Sequence, residues 1–154
     1  MTLQSWEANG WLRAHRTSRM EIGDLFRIVD RDLLDADSAL SADWRFGIAY
    51  NAALKLCTIL LYASGYRAEK NLQHYRTIQA LGLILGDERK ADAHYLDVCR
   101  IKRNQAEYDR VGVVSESEAR ELVQFVIELR SVVMAWLQER QPELLSGKGG
   151  DAPS

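Results

Sequence analysis

A chain of 154 residues, 47% hydrophobic and 27% charged, supplies one globular domain, able to bury roughly 70% of the surface that its unfolded form exposes. Twenty Lys and Arg against 22 Asp and Glu leave a net charge of −2, so no whole-molecule field draws nucleic acid or membrane, and any anion site must be local. Two cysteines without metal spacing read as reduced core thiols in a cytoplasmic protein, and three scattered histidines offer no metal set.

Met1 to Gly10, MTLQSWEANG, has neither the basic start nor the apolar run of a signal peptide. Residues 1–17 read as an N-terminal arm docked by Trp6 and Trp11, whose apolar areas are too large to leave wet. Residues 18–140 read as a helical bundle. Ser18 and Glu21 form a capping box, and Ile22, Leu25, Phe26, Val29 and Leu33 follow at helical spacing to about Leu40. Ser41 caps a second long helix with Asp43 in its first turn. Its apolar residues Trp44, Ile48, Ala52 and Leu56 share a face with Ala49, Leu60 and Ala63, and Gly65 stops it. Asn51 and Lys55 interrupt the apolar run, which makes this a buried helix rather than a membrane span.

Tyr66 to Gln73 is polar and charged and reads as a loop. A shorter helix runs from about His74 to Leu85 and stops at Gly86, and another spans about Glu88 to Asp109. After a break at Val111 and Gly112, Ser115 and Glu118 form a second capping box for a last helix carrying Leu122, Phe125, Val126, Leu129, Val133, Trp136 and Leu137. Residues 141–154, rich in Gly and small polar residues, read as a disordered tail. No segment alternates as a strand does, so the expected fold is all-α: an up-and-down bundle of four principal helices, a short helix and the arm.

No phosphate loop, HExxH, GxSxG or repeated carboxylate-and-His pattern is present, and neither cofactor nor bound metal is expected. The chemistry concentrates in CRIKRNQAEYD, Cys99 to Asp109. Arg100, Lys102 and Arg103 place three cations in four residues. Arg103 falls in line with Leu96 and Cys99, facing a contact surface rather than solvent. Asn104 lies between Arg100 and Tyr108 at i±4, a set of guanidinium, amide and phenol suited to phosphate oxygens and ribose hydroxyls. Tyr50 and Asn51 can line the same cleft from the second long helix. In HYRTIQ, His74 and Arg76 are further candidates for contacting nucleic acid.

A helix with RN near its end, preceded by one carrying RFGIAYNAALKLC, resembles the HEPN superfamily over about Ser18 to Gln138. That resemblance implies a helical bundle acting as a homodimer, and in many members a metal-independent ribonuclease of toxin–antitoxin or phage-defence systems. Other members are non-catalytic, and some regulate a nucleotidyltransferase-type partner protein. The motif is an Arg, a polar residue and, four to six residues beyond, a His. Arg103 and Asn104 match the first two. The His position falls on Tyr108, Asp109 or Arg110, so Tyr108 stands nearest the missing group. Arg89 with His94 and Arg67 with His74 also have the spacing, but about one such pair is expected by chance; of these, His74 is retained because its loop can fold over the site.

Cleavage without metal needs a base for the 2′-hydroxyl, an acid for the leaving oxygen and a cation for the phosphorane. Arg103 can be the cation. Tyr, with a pKa near 10, is a poorer base than His. On a regular helix, positions five apart diverge by about 140°, so Arg103 and Tyr108 would meet at one phosphate only across a dimer. The absent His favours a binding module for RNA, a nucleotide or a partner over the ribonuclease.

Overall fold

Ser18, Ser41 and Ser115 each turn the chain into a long helix by accepting a backbone N–H from three residues on: Glu21, Trp44 and Glu118. The computed structural model describes residues 1–38, 40–109 and 111–145, with the backbone alone at 108 and 109. Helices α2 (Arg19–Ala36), α3 (Ala42–Ala63) and α6 (Glu116–Arg140) start at these serines. Ser115 and Glu118 form the reciprocal box. The expected box at Ser18 is half made, because the Glu21 carboxylate instead accepts from Thr17 Oγ1 at 2.7 Å and contacts His15 Nε2 at 2.8 Å.

α3 is the central element. It packs on α2, α6, α4 (Gln73–Leu85) and α5 (Lys90–Asn104), and buries Ala52, Ala53, Leu56, Ile59 and Leu60 among Ile22, Val29, Ile78, Leu96, Leu122 and Val126. Each Leu or Ile so buried contributes about 1.5–3 kcal/mol. By length and hydropathy α3 could cross a membrane, but two-thirds of its most apolar window is covered by the other helices. Cys57 and Cys99 are buried free thiols, as their helical positions imply.

Four expectations need correction. The segment read as a loop contains a strand: β2 (Tyr66–Ala68) pairs antiparallel with β1 (Leu12–Ala14) in the arm, Leu12 opposite Ala68. Three-residue strands are too short to show alternation. The first residues form α1 (Leu3–Ala8), which buries Trp6 against Leu61 and Ala80, with Trp11 edge-on to Trp6 at 5.8 Å. Residues 142–144 form a 3-10 turn that places Leu144 in the core, and Gln141 donates to the Ala63 carbonyl. The tail read as disordered therefore begins packed; residues 146–154 lie outside the described residues. Trp44, placed on the core face by its spacing, is 66% exposed, while Phe46 two residues on turns into the core. Last, α5 does not continue regularly to Asp109: Gln105–Asp109 is a π turn, so the 140° divergence of Arg103 and Tyr108 does not hold.

Candidate functional site

Arg103 sits in the last turn of α5, just ahead of the π turn, where i→i+5 bonding widens the backbone. Its guanidinium is held on three sides. Nη1 donates to Asn104 Oδ1 at 3.1 Å, Nε lies 3.0 Å from Glu107 Oε2, and Cζ stands 5.4 Å from the centroid of the Tyr50 ring. The contact with Glu107 is an ion pair without hydrogen-bond geometry, because Nε is buried and lacks an acceptor.

The guanidinium lines a cleft of about 580 Å³ between α2, α3 and the π turn. Its polar wall also contains Asp32, Asp43, Asn51 and Glu107. Asn51 donates through Nδ2 to buried Asp32 at 2.7 Å, and Arg31 holds the other oxygen of that carboxylate at 3.0 Å. Trp44 and Val111, 66% and 95% exposed, form its apolar lip. Three carboxylates against one guanidinium make this cleft acidic on balance. Sequence reasoning missed Trp44, Asp32 and Asp43 as lining residues. Trp44, Ile48 and Asn51 at i, i+4 and i+7 were the available signal.

Behind Arg103 the Tyr50 ring is buried, and its hydroxyl has no hydrogen-bond partner. Burial holds the phenol well above its usual pKa, against the opposing pull of Arg103 and Arg100, so it stays protonated. His74 packs on the same ring at 6.4 Å between centroids. Burial, and then the fields of Arg103, Lys55 and Arg100, lower the His74 pKa, so its imidazole is neutral at neutral pH. Thus Arg103, Tyr50 and His74 come from α5, α3 and α4 to one place.

The other predicted residues divide. Asn51 joins the Arg103 cleft. Arg100 pairs with Asp97 at 2.8 Å and lies over the Tyr75 ring rather than stacking with Asn104. Lys102 bonds Glu118 of α6 at 2.6 Å, away from the cleft. Arg76 stacks 3.8 Å from the Trp11 ring and so fastens the arm. The side chain of Tyr108 lies outside the described residues, as does that of Asp109. Arg67 and His74 line a second, smaller cleft together. Among the described residues no group of three His, Cys, Asp or Glu is placed to hold a metal. No family model matches the chain, and neither a characterised protein nor a solved structure is significantly similar to it.

Proposed function

We propose that this chain is an HEPN-like module that binds RNA or a nucleotide through the Arg103 cleft, as a homodimer of up-and-down helical bundles in a toxin–antitoxin or defence-type system. One observation carries the reading: the Arg103 guanidinium lines the cleft and is fixed in direction there by Asn104, Glu107 and Tyr50. Exposed Trp44 offers a face for stacking a base, a contact worth about 1–3 kcal/mol. Asn51 and Asp32 present amide and carboxylate edges to hydroxyls and ring nitrogens. The apolar lip of Trp44 and Val111 is open to cover by a second copy.

Binding is favoured over catalysis because no His stands four to six residues beyond Asn104, where Tyr108, Asp109 and Arg110 lie. A ribonuclease is the second reading, favoured by His74: a neutral imidazole near Arg103 joins a base to a cation without metal. The test is fluorescence anisotropy with single-stranded and structured RNAs in EDTA, wild type beside Arg103→Ala. The variant should bind about tenfold more weakly or worse, the loss of one charged hydrogen-bonding group. Equal affinity would sink the assignment of Arg103. Cleavage of the same RNAs by wild type, absent in Arg103→Ala and His74→Ala, would move the reading to the enzyme.

A further inference from the structure

The second cleft has the opposite charge. It lies between α3, β2 and α4, holds about 180 Å³, and is lined by Lys55, Arg67, His74, Thr58, Thr77 and Gln73 with no carboxylate among its lining residues. Neither Lys55 nor Arg67 enters an ion pair among the described residues. Glu21, whose carboxylate feels the field of Arg67, is already engaged by Thr17 and His15. Thr77 is only 5% exposed, and its hydroxyl, on the cleft wall, has no hydrogen-bond partner among the described residues. That hydroxyl is reached by solvent rather than sealed in the core, so it is free to bond a ligand oxygen.

The backbone adds to this. α4 starts at the cleft without a side-chain cap, after Leu72 in the left-handed conformation at φ 56°. A bulky residue held there is strained by about 1–2 kcal/mol, and such strain gathers at binding sites. The positive end of the helix points the same way as the cations. Clefts for organic ligands run upward of about 300 Å³, so this one suits a group the size of an inorganic oxyanion.

We propose that Lys55, Arg67, His74 and Thr77 form a phosphoryl-binding subsite, separate from the Arg103 cleft, with the Tyr50 ring in contact with both His74 and Arg103. Charge divides the labour: the acidic Arg103 cleft takes base and sugar, and the cationic cleft takes the phosphate. The division between the two clefts and the source of the phosphate rest on the nucleotide reading above; the phosphoryl subsite itself does not. A free phosphate or phosphomonoester and the terminal phosphate of an RNA share the chemistry.

NMR titration of the full chain at low salt separates the cases. Inorganic phosphate should shift the His74 ring and Thr77 amide resonances with an affinity in the millimolar range. Lys55→Gln with Arg67→Gln should weaken it about tenfold or more, since two charged donors are lost. Thr77→Val should weaken it less, and Arg103→Ala, which acts only through its field at His74, should change it far less than the Lys55/Arg67 variant does. No shift with phosphate, or a loss in Arg103→Ala equal to that in the Lys55/Arg67 variant, would overturn the subsite. Tighter binding of a 5′-phosphorylated than a 5′-hydroxyl oligoribonucleotide assigns the RNA end as the source. Equal binding of the two, with inorganic phosphate still bound, assigns a free phosphomonoester. Failure of both RNAs to bind removes the nucleic-acid reading and leaves the phosphate result standing.

Discussion

Asp43, in the first turn of α3, accepts the Gly112 N–H at 2.7 Å, and its second oxygen takes the Val114 N–H at 3.2 Å. One carboxylate thereby holds the segment that follows the π turn, including the Val111 lip of the Arg103 cleft. Asp43→Ala should cost about 1 kcal/mol of stability and loosen that lip. Urea unfolding reads the first effect, and quenching of Trp44 fluorescence by iodide, increased in the variant, reads the second.

His74 should titrate below an ordinary histidine. Burial is the main cause, and Arg103 comes next, so Arg103→Ala should raise the His74 pKa part of the way back. An NMR titration of the ring carbons in both proteins measures this. An unmoved pKa would mean that the guanidinium and the imidazole do not feel each other.

The acid limb of stability should depend on Glu118. Its hydrogen bond to Lys102, and then the Ser115 N–H, hold its pKa below the usual value. The folded pKa is the lower one, so the stabilisation is complete above the unfolded value, about 4.3, and is lost as pH falls through the folded one. Melting temperatures of wild type and Glu118→Gln should therefore differ at pH 6 and converge on acidification below about pH 4.

Arg76 separates structure from binding. Its stacking on Trp11 is worth roughly 0.5–1 kcal/mol, so Arg76→Leu should loosen the arm, seen as faster amide exchange in β1. RNA affinity should stay as in wild type. A loss of affinity with the arm still protected would return Arg76 to the binding surface.

Burial raises the Cys57 thiol to about 12 and the Cys99 thiol to about 11, which leaves almost no thiolate at neutral pH. Neither should react with a thiol reagent until the protein unfolds. Rapid labelling of Cys57 in the native state would contradict the packing of α3.

Local signals were legible in the sequence. The serine caps and the stop at Gly86 each depend on a few neighbouring residues, and each stands where expected. Long-range relationships were not. The meeting of His74 with Arg103 depends on how α4 and α5 pack around Tyr50, which no spacing encodes. The β1–β2 ribbon pairs residues far apart in sequence through strands too short to carry a pattern. Nothing in QAEYD marks a π turn, since its residues suit an α-helix as well.

That turn has an evolutionary arithmetic of its own. A π turn holds one residue more than an α frame needs, so deleting one position between Gln105 and Asp109 would repair the helix ladder. The same deletion would swing the chain beyond it by about 100° and carry Gly112 and Val114 off Asp43. The better helix would be the one with no cleft, so a shortened chain should be sturdier at α5 and unable to hold what Arg103 holds.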